Sequence, residues 1–148
     1  DLQTAIKETA WRQISQSGAA SLNLRAIARE LEITAPSIYN YFPNRDALVT
    51  ALIVDAFSSF ADALQASISG IPTHEHAQRL YALGLGYRDW AIGRPERYQL
   101  IFGTPIAGYV APVHITQPVA GEWTAAEAHG FSKMLALPGI FYTRAGRN

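Results

Sequence analysis

Ser37, Tyr39, Asn40 and Tyr41 place four hydrogen-bonding side chains within five positions, interrupted only by Ile38. An asparagine amide donates and accepts at once, which matches the N6 and N7 edge of adenine, while hydroxyls chiefly hold phosphates and fix register. Thr34 and Pro36 precede this cluster, Arg45 follows it, and Arg25 lies one element earlier. Both arginines stand close behind an asparagine at the start of a predicted helix, where unpaired N–H groups and the helix dipole also favour anions. The chemistry implied is recognition of duplex DNA. Ser37 and Asn40 are the candidates for base edges, and Thr34, Tyr39, Tyr41 and Arg45 for phosphates. Arg25 could reach either the backbone or a base. The plain alternative is a solvated helix face, on which Arg29 pairs with Glu30 or Glu32 and contributes little.

For those groups to act together, short helices must hold them. Leu24, Ile27, Ala28 and Leu31 recur at helical spacing, with Asn23 as N-cap. The pattern lapses and restarts at Thr34-Ala35-Pro36, where Thr34 caps and Pro36 sits in the first turn at no loss of a donor. This second helix is barely two turns long and needs packing for stability, which Ile38 and Phe42 supply from one inward face. Ser37, Asn40 and Tyr41 then point outward, with Tyr39 at the flank. Asn44 caps a third helix. Two helices joined by a short turn, the second exposing Ser, Asn and Tyr, form a helix-turn-helix whose second member enters the major groove.

The words themselves add to the pattern. Ile38-Tyr39-Asn40-Tyr41-Phe42-Pro43-Asn44-Arg45-Asp46-Ala47-Leu48 resembles the Y-x-H-F-x-N/S-K-x-x-L signature of the tetracycline-repressor (TetR) family of transcriptional regulators. Tyr41 and Arg45 stand where that family more often has His and Lys. Glu32 stands in the turn where the family commonly has Gly, at a position that tends to need positive φ. A non-glycine residue there costs about 1 kcal/mol or demands a different turn. The resemblance covers roughly the first third of the chain. It implies a DNA-contact set of Arg25, Thr34, Pro36, Ser37, Tyr39, Asn40, Tyr41 and Arg45, and a short basic arm before the first helix, whose place would precede Asp1.

Along the rest of the chain, residues 2–16 form a first helix stopped by Gly18, with Trp11 at the edge of its apolar stripe. The helix opened by Asn44 continues through Leu48, Leu52, Ala56, Phe60, Leu64 and Ile68 to the break at Gly70-Ile71-Pro72. At 1.5 Å per residue, such a connector over residues 44–69 is a rod about 37 Å long. A further helix is expected from about His74 to Gly93, and another from Pro95 to Gly103. Beyond Pro112 the periodicity is loose, with one helix expected over 122–137 before Pro138-Gly139. The runs Tyr87 to Ala91, Pro95 to Gly103 and Gly108-Tyr109, with Trp123 and Ala128-His129-Gly130, resemble a TetR subgroup whose ligand domain ends in a Trp-His-Gly-like element. Against that subgroup, the segment from Val113 to Glu127 is short. Either the domain is a shortened variant or residues are missing from it.

Phe57, Phe60, Tyr81, Tyr87, Trp90, Tyr98, Phe102 and Tyr109 are more aromatics than a small helical core requires. The resemblance implies an apolar effector pocket among them, with Tyr hydroxyls as polar anchors; plain core packing accounts for at least half.

Composition bounds these readings. Lysine plus arginine equals aspartate plus glutamate at 12 each, so the net charge is zero. This counts against a non-specific nucleic-acid binder, whose affinity comes from neutralised phosphates, but not against a sequence reader. The lack of cysteine removes disulfides and thiolate metal sites and fits a reducing cytoplasm. No membrane span or export leader is expected. His74-Glu75-His76 is H-x-H, which cannot place both imidazoles on one helix face, so no metal or cofactor is expected; an acidic helix start is the better account. His114 and His129 have no evident partners, and nothing resembles a nucleophile beside a base.

The sequence therefore implies an all-α chain. Residues 1–48 form a three-helix DNA-binding domain, joined through the long helix to a helical effector-binding and dimerisation domain over 49–148. The function implied is a regulator, most simply a repressor, that binds a pseudo-palindromic operator as a homodimer and is released by a small hydrophobic effector. Recognition helices of such a dimer sit about 34–36 Å apart. The rival reading is a small all-α enzyme or carrier that uses the aromatic cavity.

Overall fold

The computed structural model describes residues 1–110. Among these the chain is all-α: α1 (Leu2–Ser17), a 3-10 turn (Ala19–Ser21), α2 (Leu24–Glu30), α3 (Ala35–Tyr41), α4 (Arg45–Ile68), α5 (His76–Gly93) and α6 (Pro95–Phe102). The helix expected over 122–137 and the Trp123 and Ala128-His129-Gly130 element lie outside the described residues.

The helix ends follow from local side chains. Asp1 accepts from the Gln3 amide at 3.2 Å, Asn23 from Arg25 and Ala26 at 2.9 and 3.2 Å, and Asn44 from Ala47 at 2.8 Å. Each such cap satisfies a donor the helix leaves open and contributes about 1 kcal/mol. Gly18 closes α1 at φ 79 while its N–H returns to the Ile14 carbonyl. Between α2 and α3, Glu32 adopts φ 55. Its N–H reaches the Arg29 carbonyl at 3.2 Å, and the Ile33 N–H reaches that of Ala28 at 2.9 Å, the paired bonds of a Schellman ending. Of the two outcomes open to a glutamate here, the chain keeps the tight turn with a side chain in the left-handed region.

The buried side chains form one cluster that passes from Ile6, Ile27 and Ile38 through Leu52, Ile53 and Phe60 to Leu83, Trp90 and Ile101. α4 supplies its spine and packs most extensively on α5, then on α6. At 24 residues α4 is about 36 Å long. It has the length and composition of a membrane-crossing helix, with a mean hydropathy of 1.6. That corrects the expectation that no segment approaches such a run. Leu, Ile, Val and Ala outweigh Asp55 and Asp62, and the apolar stripe packs inside this bundle, as in a central core helix. Asp55 is tied to Lys7 of α1 at 2.8 Å.

Three smaller expectations are also adjusted. α5 starts at His76 because Pro72 to Glu75 closes a turn first, with the Glu75 N–H on the Pro72 carbonyl at 3.0 Å. The first turn of α5 then carries no acidic residue, and Glu75 is an N-cap position without a side-chain capping bond. Glu30 pairs with Arg12 of α1 at 2.8 Å rather than with Arg29. Trp11 does lie at the edge, where the Arg97 guanidinium covers its ring at 4.9 Å.

Candidate nucleic-acid interface

α3 is two turns long and is clamped from beneath. Ile38 is fully buried and Phe42 nearly so, one turn apart on the inward side. The opposite side carries Tyr39, Asn40 and Tyr41, with Tyr39 38% and Tyr41 44% exposed. An exposed tyrosine beside a buried isoleucine leaves its hydroxyl free to meet an approaching polar surface. Thr34 accepts from the Ser37 amide at 3.4 Å, and the two hydroxyls lie 2.8 Å apart. Ser37 is therefore half-buried and engaged in the cap rather than pointing freely outward as the spacing predicts. Thr34 and Pro36 are exposed at the leading end of the helix.

Arg25, Tyr39 and Arg45, expected separately from three places in the sequence, come together around a shallow groove of about 480 Å³. Asn23 and Asn44, the N-caps of α2 and α4, also line it. Two guanidinium groups, a phenol and two adjacent helix starts form a surface that suits an anion. Arg45 has a second attachment that its position in the sequence does not announce. Its Nη2 donates to the carbonyls of Ala19 and Ala20, 3.1 Å each.

The expected pocket aromatics divide. Phe57, Phe60, Tyr87, Trp90, Tyr98 and Phe102 form one ring cluster centred on Phe60, whose centroid lies 5.5 Å from Tyr87, 4.9 Å from Trp90 and 5.4 Å from Phe102. Trp90 Nε1 donates to Ser59 Oγ at 3.0 Å, and the Tyr87 hydroxyl donates to that of Tyr98 at 3.4 Å. Burial, then the bond to Tyr98 and its charge, push the Tyr87 phenol well above its ordinary pKa. Tyr81 and Tyr109 stand apart. Tyr81 is 70% exposed on α5, and the Tyr109 hydroxyl lies 2.8 Å from that of Thr50. Burial raises the Tyr109 phenol, the Thr50 bond opposes that, and the Asp46 charge adds to it. A cleft of about 630 Å³ opens elsewhere, between α1 and α6, and none of the eight expected residues lines it. Small residues at Gly18-Ala19-Ala20 and the stop at Thr104-Pro105 are the only sequence signals of that cleft. His74 and Glu75 are exposed and 3.6 Å apart, and no group of three metal-ligating side chains occurs among the described residues.

Comparison with known proteins points the same way. Residues 6–52 match the family model described as bacterial regulatory proteins, tetR family. Residues 80–138 match one described as tetracyclin repressor-like, C-terminal domain. The HTH-type transcriptional regulator Rv1816 of Mycobacterium tuberculosis (strain ATCC 25618 / H37Rv) is 37% identical over 119 residues, which is 80% of this chain and 51% of that protein. The Mycobacterium bovis regulator Mb1846 matches to the same extent. The chain thus spans about half the length of the curated relatives it matches. The crystal structure of SCO4313, titled a regulatory protein, superposes with a TM-score of 0.71 at 44% identity, covering 80% of this chain and 55% of that one. A structure titled a tetR family transcription regulator, from Shewanella sp. PV-4, superposes at 0.65 with 24% identity over 90% of this chain and 66% of that one, a likeness of fold alone. None of these relatives supports the enzyme or carrier alternative. With its amino-terminal helices matching one tetR-family model and its later helices matching the other, the chain belongs to the tetR family of bacterial regulatory proteins.

Proposed function

We propose that the chain is a DNA-binding transcriptional repressor that acts as a homodimer in the cytoplasm and is released from its operator by a small hydrophobic effector. The observation that carries this reading is α3, whose Ile38 and Phe42 are buried while Tyr39, Asn40 and Tyr41 face outward. Asn40 reads a base edge, Tyr41 and Tyr39 hold phosphates, and Arg25 and Arg45 each neutralise a phosphate beside the groove between α2 and α4. Thr34, Pro36 and Ser37 set the height of α3 above the duplex. Residues 1–48 carry DNA contact, and residues 49–148 carry effector binding and dimerisation, with α4 as the connector. The aromatic cluster around Phe60 is the effector's apolar wall, with Tyr87 and Tyr98 as its polar anchors. Likeness to the Trp-His-Gly-like subgroup supports placing the effector there. An effector releases DNA only by binding one arrangement of the connector better than the other.

Fluorescence anisotropy with duplexes tiled across the protein's own upstream region tests this. Wild type is expected to prefer one duplex, with affinity falling as salt rises. Asn40→Ala should flatten that preference by about 1–3 kcal/mol, whereas Tyr41→Phe should weaken all duplexes alike. Equal binding of every duplex by wild type and Asn40→Ala would defeat the base-reading role.

A further inference from the structure

The cleft between α1 and α6 is a ligand-sized space apart from the aromatic cluster, at about 630 Å³. Ile14, Leu100 and Ile106, all buried side chains, provide an apolar side. Glu96 is its acidic member, and Ala19 and Ala20 also line it. Arg97 approaches one Glu96 oxygen at 3.3 Å, and that guanidinium also covers Trp11. A carboxylate has acceptor capacity beyond one such contact, so Glu96 can take a further donor from the cleft side. Apolar walls with one convergent acid suit an apolar body carrying a single cationic donor.

The alanine wall is not an isolated loop. The carbonyls of Ala19 and Ala20 both accept from Arg45 Nη2. Arg45 is the first residue of α4 and lines the groove shared with Arg25 and Tyr39. One side chain therefore spans from the wall of the cleft to the surface that suits a phosphate. Anything wedged against Ala19 and Ala20 acts on the carbonyls that hold Arg45.

We propose that the cleft between α1 and α6 is an effector site for a small apolar or aromatic amine, and that its occupancy is passed through Ala19, Ala20 and Arg45 to the groove beside α3. The site stands on the cleft alone, while its regulatory meaning rests on the DNA-binding reading. Coupling between two such sites is reciprocal and commonly about 5–150-fold in affinity.

Monodansylcadaverine, an environment-sensitive dansyl ring on a pentyl arm ending in a primary amine, is a direct probe. Titrated into the whole chain, it is expected to give a saturable, blue-shifted rise in fluorescence. Glu96→Gln should weaken binding by about tenfold through loss of the charge-assisted contact. Ala107→Phe, which fills the rim from an exposed position, should abolish it, with circular dichroism confirming that both variants are folded. No saturable signal, or binding unaffected by both substitutions, overturns the site. Amide exchange then reads the transmission. The probe should change protection of residues 22–25 and 44–48 in wild type but not in Arg45→Gln, and unchanged protection in wild type overturns the link. Failure to bind any duplex would defeat the repressor reading while leaving the titration as it stands.

Discussion

Glu32 holds φ 55, a region that L side chains enter at a cost of roughly 1–2 kcal/mol. The position is retained because the two bonds it permits, to Arg29 and Ala28, close α2 and aim α3. Glycine would adopt the same backbone without the Cβ penalty but would lose more freedom on folding. Glu32→Gly is therefore expected to stabilise the chain by up to about 1 kcal/mol without changing the α2 to α3 angle. A rise in the urea midpoint at an unchanged slope is the signature, and a lower midpoint would show that the glutamate side chain holds something in place. The same turn illustrates what a sequence can show at this scale. A non-glycine residue at a positive-φ position was legible from the resemblance. Which way the backbone would yield depended on hydrogen bonds that only the folded turn displays.

At the level of elements, α4 and α5 approach closely at Gly86. A Cβ built on Gly86 would lie 2.7 Å from the Ser67 Cβ, which is the root of a side chain and cannot swing aside. Alanine normally favours a helix interior by about 1 kcal/mol over glycine. Here overpacking of about 1–3 kcal/mol opposes that gain. Gly86→Ala should lower thermal stability despite the better propensity, and Ser67→Gly should restore part of the loss. A more stable Gly86→Ala would mean that the two helices can part without penalty. Helix ends were legible where they carry their own signal: Asn23, Thr34 and Asn44 cap, and Gly18 and Gly93-Arg94-Pro95 stop, whereas the start of α5, which has no side-chain cap, was placed two residues early. Six of the eight expected aromatics meet in one cluster, since α5 and α6 turn Tyr87, Trp90, Tyr98 and Phe102 toward Phe57 and Phe60 of α4. Tyr81 and Tyr109 share the composition but not the facing. Two lining residues of the cleft beside α1, Ala19 and Ala20, are held by Arg45 across more than two dozen residues, a contact that no local pattern encodes.

For the whole chain, a net charge of zero constrains how the proposed DNA binding would work. Counterion release gives a slope of about −0.9 per neutralised phosphate in a plot of log affinity against log salt. With Arg25 and Arg45 as the proposed cations in each copy of a dimer, the slope should be about −4. Arg25→Ala should make it shallower by roughly two units. A slope near −10 in wild type would mean that other basic residues carry the contact. Under the proposed function, such a shallow dependence would leave discrimination to Asn40 and to the spacing of the two recognition helices.

The continuous core through α4 has an evolutionary consequence. Two-part regulators are often imagined as modules that recombination can shuffle, but a crossover near residue 48 would cut this chain through its spine. Val49, Leu52 and Ile53 are buried in the same cluster that contains Ile6 and Ile27, so a borrowed reader would arrive without its floor. A working hybrid would have to inherit the entire α4 rod from one parent, and with it that parent's fit to α5.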